Sequence, residues 1–112
     1  MAVANFYNDV TFNIPSRVYR YNATTQQFDL MQSIDTQGAM DFEAFTMDNV
    51  MHLAVANHRS GSNYDIPSWV YRYNTTTQQF EEMQSINTQG AHDIEAFTMN
   101  NARYLSGRSE FL

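Results

Sequence analysis

The feature that most constrains this chain is an internal repeat of 52 residues. Residues 2–53 align with residues 54–105 without a gap, and 33 of the 52 positions are identical. A fixed period of this length is typical of solenoids, propellers and other arrays of one supersecondary unit. We therefore treat residues 1–112 as a single unit made of two repeats and a short tail, 106–112.

Each repeat is expected to form four short strands. Runs rich in β-branched and aromatic residues are separated by clusters of Asn, Thr, Gly, Ser and Pro, and no run has a helical period. A complete blade takes strands from both repeats, and we predict its strands A to D at about 40–47, 50–57, 68–73 and 80–86. Apolar residues lie on both faces of these strands, as in a blade packed between two other blades. The predicted fold class is all-β, with two four-stranded antiparallel β-propeller blades per chain.

The points at which the repeat is cut predict a ring completed by oligomerisation. The sequence starts within a strand B, at Ala2-Val3-Ala4-Asn5, and the copied part ends within another strand B, at Arg103-Tyr104-Leu105. The spare strand A near 92–99 would complete the first blade of a neighbouring chain, because an open sheet edge recruits another strand. Where the next chain continues this strand with its own Ala2-Val3-Ala4-Asn5, the tail from Ser106 is expected to turn aside. Two blades per chain predict a homotrimer or a homotetramer.

Composition excludes several classes of partner. The net charge is −6, and six arginines against twelve acids cannot form the basic face that nucleic acid requires. No window approaches the roughly 18 consecutive apolar residues of a membrane-spanning helix, so no membrane insertion is expected. Two sequons, Asn22-Ala23-Thr24 and Asn74-Thr75-Thr76, suit a secreted, extracellular protein, although Asn and Thr are equally ordinary residues of hairpin turns.

Four sequence blocks occur twice in the same order. They are Ala-Val-Ala-Asn (preceded by leucine in the second copy), Val-Tyr-Arg-Tyr-Asn, Phe-x-x-Met-Gln-Ser-Ile and Gly-Ala-x-Asp-x-Glu-Ala-Phe. This pattern resembles the epilepsy-associated repeat (EAR), also called the EPTP repeat, over about residues 2 to 105. The resemblance implies blades of a propeller that binds protein ligands outside cells. A two-repeat chain of this size is also similar to small invertebrate lectins of the feather-star type.

These resemblances give two expectations for function. The first is a non-enzymatic, multivalent carbohydrate-binding protein, a lectin for galactose or N-acetyllactosamine-type glycans, with glycans or glycoproteins as partners. Repetition of one weak site around a rigid ring would supply avidity. The alternative is an extracellular protein-binding or adhesion module, or a propeller fragment without a native function of its own.

The candidate ligand-binding residues come from a comparison of the two repeats. Eight of the 19 differences are consecutive and separate residues 6–13 from residues 58–65, the connection between strands B and C. In a four-stranded blade the B–C and D–A connections emerge on one face, which is the candidate binding face. Aromatic, amide, carboxylate and guanidinium groups are those that bind sugars. The candidates are Phe6, Tyr7, Asn13, His58, Arg59, Asn63, Tyr64, Asp65 and the only tryptophan, Trp69.

Repeated carboxylates suggest a second site. Asp41 and Glu43, repeated as Asp93 and Glu95, are two residues apart on the innermost strand and so point to one side. We expect a ring of carboxylates that pairs with backbone amides or holds Ca²⁺. In the resembling family the equivalent aspartates can hold an ion in the channel, which implies Asp41 and Asp93 as its ligands here. No cofactor is expected to be required. Neither catalysis nor a zinc site is expected.

Overall fold

A computed structural model of the chain describes residues 2–6 and 13–109. Its strands are β1 (Ala2–Val3), β2 (Pro15–Asn22), β3 (Gln27–Asp35), β4 (Ala39–Met47), β5 (Val50–Asn57), β6 (Asp65–Asn74), β7 (Gln79–Gln89), β8 (Ala91–Met99) and β9 (Ala102–Ser109). Within the described residues they form three antiparallel sheets, with the orders β1-β2-β3, β4-β5-β6-β7 and β8-β9. No helix long and apolar enough to cross a membrane occurs in these residues.

The strand order confirms the predicted all-β blades. The sheet β4-β5-β6-β7 is one complete blade with strands in the order A to D, which we call the middle blade. The sheet β1-β2-β3 contains B, C and D of a first blade, and β8-β9 contains A and B of a third. The predicted strands match β4 to β7 to within a few residues, and the ring is not closed.

In the single chain the tail extends the last strand. Strand β9 continues through Ser109, and Ala91 to Met99 of β8 pair with Ser109 to Ala102 in order. Backbone pairing with β8 requires no apolar side chain, which is why these residues can extend β9 in a single chain; the turn expected at a junction of two chains stays a prediction. The register is set instead by the tight turn before β9, where Asn100 and Asn101 have φ of 51° and 64°. The middle blade has the same turn at Asp48 and Asn49, with φ of 54° and 62°.

Two apolar interfaces join the three blades. The first lies between the first and middle blades; its buried residues are Val18, Ile34, Ala39, Leu53, Val55, Tyr71 and Phe80. The second lies between the middle and third blades; its buried residues are Phe45, Ala54, Ala56, Val70, Ala91 and Ile94. Alternate residues of β5 face the two interfaces, and this strand is buried from His52 to Asn57. The middle blade is therefore apolar on both faces, as predicted.

In the first and middle blades, a buried polar network joins strands B, C and D at the end where the B–C and D–A connections lie. In the middle blade, the Ser68 hydroxyl accepts a hydrogen bond from the Asn57 backbone N–H (3.1 Å) and bonds the Thr88 hydroxyl (2.9 Å). Thr88 in turn donates to the Ile66 carbonyl (3.0 Å). The first blade repeats this network at the equivalent residues, with Ser16 bonded to Asn5 and Thr36. Identical side chains in the two repeats thus make identical contacts.

This network predicts the effect of a single hydroxyl. Ser68 is fully buried, so Ser68→Ala should leave the buried Asn57 N–H unsatisfied and lower the free energy of unfolding by about 1–3 kcal/mol. Urea denaturation followed by tryptophan fluorescence measures the change. Ser85→Ala, on an exposed position of β7, is the matched control and should change stability by less than about 0.5 kcal/mol. Equal midpoints for the two variants would show that the network does not stabilise the blade.

Candidate functional site: the face formed by the B–C and D–A connections

The segment 58–64 joins β5 to β6 and lies against two neighbouring turns. The His58 backbone N–H donates to the Gly38 carbonyl (3.1 Å), and the Gly90 N–H donates to the Tyr64 carbonyl (2.9 Å). Gly38 and Gly90 belong to the D–A turns before β4 and β8, so the B–C and D–A connections share one face. A side chain at Gly38 would clash with the Arg59 carbonyl, 2.9 Å from a Cβ there, and its φ of +56° also favours glycine.

Local hydrogen bonds order the segment itself. Ser60 and Asn63 exchange two backbone hydrogen bonds of 2.9 and 3.0 Å around Gly61, whose φ is 60°. The Arg59 Nε donates to the Gly61 carbonyl (2.6 Å). The Asn63 side-chain oxygen accepts from the Asp65 N–H (3.1 Å), as in an Asx turn. The segment therefore has a defined conformation that presents its side chains in fixed directions.

Aromatic contacts place His58 inside the face. Its ring lies 5.8 Å from Phe6, 5.2 Å from Tyr64 and 4.6 Å from His92, measured between ring centroids. The Arg59 guanidinium lies 4.8 Å above the Tyr64 ring, which is a cation–π contact. His58 is buried, so it supports the segment, whereas Arg59 and Tyr64 are partly exposed.

A cleft of about 720 Å³ opens between the first and middle blades. Its lining residues are Asn13, Ile14, Asp35, Thr36, Gln37, Asn57, Asn63, Asp65, Ile66, Pro67 and Trp69. Trp69 is half-buried and also packs against the first interface. A cleft with one indole, several amides and two carboxylates offers an apolar surface beside groups that hydrogen-bond a polar ligand.

Carboxylates of β4 bind the backbone of β8. Asp41 accepts a hydrogen bond from the Ile94 N–H (3.2 Å), and Glu43 accepts one from the Ala96 N–H (3.0 Å). Both carboxylates therefore point towards the next blade, as expected for side chains two residues apart on one strand. Asp41 also hydrogen-bonds Asp93. Burial, reinforced by this hydrogen bond and by the negative charge of Asp93, raises the pKa of Asp41 to about 6.

Comparisons with known proteins identify the repeat. Residues 27–74 match the EPTP domain model. This segment runs from β3 to β6 and so contains one set of D, A, B and C strands. This segment belongs to the EPTP family.

Two relatives are 44% (Mus musculus) and 42% (Homo sapiens) identical over 105 residues. Each is named "Thrombospondin-type laminin G domain and EAR repeat-containing protein". Each alignment covers 94% of this chain and 16% of the relative. The chain thus spans a small part of the length of these relatives.

The structure brings the predicted residues into two adjacent groups. Asn13, Asn63, Asp65 and Trp69 line the cleft, whereas Phe6, His58, Arg59 and Tyr64 form the aromatic cluster. Tyr7 lies outside the described residues.

Sequence reasoning missed three residues of the D–A side that line the cleft, Asp35, Thr36 and Gln37. They could have been predicted, because the D–A turns were expected on the same face as the B–C segment. It also missed His92, which no spacing in the sequence relates to His58.

The predicted metal ligands Asp41 and Asp93 are adjacent, on the innermost strands of two successive blades. Among the described residues, no group of three or more His, Cys, Asp or Glu side chains could hold a metal ion. One chain thus brings two carboxyls together at this position.

The raised pKa of Asp41 predicts a pH dependence of stability. A carboxyl that holds its proton more tightly in the folded chain stabilises the fold at low pH, and this contribution is lost as pH rises from about 4 to about 6. In a buffer with chelator, the denaturation midpoint should fall between pH 4 and pH 6, and Asp41→Asn should reduce the fall. Asp35→Asn, on an exposed position of β3, is the control. An unchanged fall in Asp41→Asn would exclude this carboxyl as its source.

Proposed function

We propose that this chain is a non-enzymatic binding module of an extracellular propeller, and that it binds protein partners through the face formed by the B–C and D–A connections. One observation carries the proposal: the longest run of differences between otherwise similar repeats falls on the segment that borders the cleft. A rigid scaffold with one variable loop is the usual arrangement of a binding module. The names of the relatives include EAR repeats and refer to no catalytic activity.

Glycan binding is the second candidate. The observation that favours it is the Trp69 indole in a cleft that also contains Asn13, Asn63 and Asp65. An aromatic ring beside amides and a carboxylate suits a pyranose, and galactose or N-acetyllactosamine-type glycans are the proposed class. The two candidates predict opposite results for cells from which either the surface proteins or the glycans have been removed.

Binding to intact cells tests both candidates. We expect fluorescent protein to bind animal cells, to lose binding after protease treatment, and to keep it after enzymatic removal of glycans. A glycan array and haemagglutination provide the direct test of the lectin. Glycan binding at micromolar protein, with binding lost after deglycosylation, would replace the first candidate by the second.

Substitutions on the two faces locate the binding site. Tyr64→Ala, Asp65→Asn and Trp69→Ala should each weaken binding roughly 10-fold or more, because partly desolvated aromatic and charged contacts dominate binding energy. Asn22→Gln and Asn74→Gln change the turns between strands C and D, at the opposite end of the blade, and should leave binding unchanged. The converse pattern would move the site to the opposite face.

We also propose that copies of this chain assemble into a homotrimeric or homotetrameric ring of six or eight blades. Equivalent residues support it. Phe80 of the middle blade is 9% exposed because the first blade covers it, whereas its counterpart Phe28 is 50% exposed. On the other side, Phe45 is 7% exposed beneath the third blade, whereas its counterpart Phe97 is 42% exposed. Each outer flank therefore lacks a cover that the middle blade has, and head-to-tail contacts that close into a ring would supply it.

Light scattering measures the assembly directly. The expected mass is three or four times the 13.0 kDa of one chain. Phe28→Asp and Phe97→Asp should both lower the mass, because each places a charge in a flank that must be desolvated. Met51→Asp, on an exposed position of β5, is the control. A stable monomer or a closed dimer would rule out the ring.

In such a ring, Asp41 and Asp93 of every copy would face the central channel, and we propose that they hold Ca²⁺. Their oxygens are of the type that Ca²⁺ prefers, and the hydrogen-bonded pair with a raised pKa is one that a cation would stabilise in its ionised form. Calcium should therefore suppress the loss of stability between pH 4 and pH 6. If calcium left the melting temperature unchanged at pH 7, the carboxylates would act only as hydrogen-bond acceptors for the adjacent strand.

A further inference from the structure

The second half of β9 is a poor substitute for a strand B. In the middle blade this position is Ala54-Val55-Ala56, and all three residues are fully buried. In β9 the equivalent residues are Ser106, Gly107 and Arg108, which are exposed. Their backbone pairs with β8 in the register that β5 uses with β4, but they contribute little apolar surface to the blade interface.

A cavity lies beside this half of β9. It measures about 430 Å³, and its walls include Ile86 of the middle blade together with Ile94, Leu105 and Gly107 of the third. At the equivalent position of the first interface, Val55 packs among Val18 and Ile34. The cavity therefore contains the space that a valine side chain occupies in the complete interface, because glycine has no side chain to fill it.

Strand β1 carries the residues that β9 lacks. Ala2 and Val3 pair with Val18 and Arg17 of β2 in the register that Ala54 and Val55 use with β6. Asn5 continues the equivalence: its side chain donates to the Pro15 carbonyl (2.8 Å), as Asn57 donates to Pro67 (3.1 Å). In the described part of the chain, β1 is the edge strand of its sheet, whereas β5 also pairs with a strand A.

We propose that residues 2–5 of a second copy displace residues 106–109 from β8 and complete the junction blade as a composite strand. Residues 102–105 would keep their pairing with β8, and the second copy would supply the second half of strand B together with strands C and D. This inference rests on the assembly proposed above and specifies its contact. The occupant is a second copy because β1 already has the register, the sequence Ala-Val-Ala-Asn and the polar network of a strand B.

The exchange keeps the backbone pairing with β8 and improves the side-chain contacts. The four displaced residues lose pairing with β8, and the four incoming residues pair with the same edge. Val3 then enters the cavity, so apolar surface is buried that Gly107 cannot bury. Asn5 gains a partner as well. In the middle blade the Asn57 side-chain oxygen accepts from the Gln37 N–H (3.1 Å), and the equivalent donor at the junction is the Gln89 N–H.

A register-specific cross-link tests the exchange. Glu43 is directly opposite Ala54 in the middle blade, so Glu95 of one copy should be opposite Ala2 of the next. Facing Cα atoms in an antiparallel pair lie about 4.5–5.5 Å apart, within reach of a disulfide. Because the chain has no cysteine, mixed Ala2→Cys and Glu95→Cys variants should form a covalent dimer under mild oxidation. Ala2→Cys mixed with Thr98→Cys, three residues further along β8, is the control and should not.

A second pair of variants tests the displacement of β9. Gly107→Val would fill the cavity from within the chain, where a Cβ meets the Asp93 carbonyl oxygen at an uncrowded 3.7 Å. It should weaken association by about 10-fold, the effect of one buried aliphatic side chain. A chain shortened after Leu105 should associate more tightly than the full chain, since no segment then competes for β8.

The outcomes separate this inference from the proposed ring. Oligomers of the expected mass that give no cross-link at Ala2 and Glu95, and that Gly107→Val leaves unchanged, would overturn the strand exchange while the ring survives. A chain that stays monomeric at all concentrations would overturn both. Cross-linking in the expected pair alone, together with weaker association of Gly107→Val, would support the exchange.

Discussion

A blade with apolar side chains on both faces must be covered on both sides. The middle blade meets this requirement inside one chain, because Val55 and Phe80 face the first blade while Ala54 and Phe45 face the third. Small residues on β5 allow the sheets to approach closely, and large aromatic residues on the flanking strands fill the remaining space. The same requirement applies to the outer blades. Their exposed aromatic residues follow from it directly, since the repeat gives every blade the same two apolar faces.

Polar groups then determine how the blades align. The Asn, Ser and Thr network ties strands B, C and D within a blade, and its hydroxyls are buried, so misalignment would leave donors without acceptors. Between blades, the Gln32 side chain makes two hydrogen bonds of 2.8 Å with the backbone of Phe80 on the outermost strand. Asp41 and Glu43 make the corresponding contacts on the innermost strand. Apolar burial brings the blades together, and these side-chain to backbone bonds select one registration.

The repeat made most of the fold predictable from sequence. A comparison of two copies shows which residues are framework, and alternation then assigns strands and faces, so the order of β1 to β9 followed without structural information. The extension of β9 did not follow, because Ser106 to Ser109 have neither the composition nor the apolar pattern of a strand, and their pairing depends on a tertiary partner, β8. The contact of His58 with His92 was hidden for a related reason. It joins residues of different blades, and no spacing along the chain encodes that distance.

The segment 58–64 is attached to its neighbours through main-chain atoms. The bonds from His58 to Gly38 and from Gly90 to Tyr64 involve N–H and carbonyl groups that nearly every residue type possesses. Geometry at these two points therefore depends on the glycines of the facing turns and little on which exposed side chains the segment itself carries. A surface of this kind can accumulate substitutions with little penalty to the scaffold. Its evolutionary consequence is that recognition can change by point mutation while the architecture is inherited intact, which makes the segment a suitable position for library-based engineering.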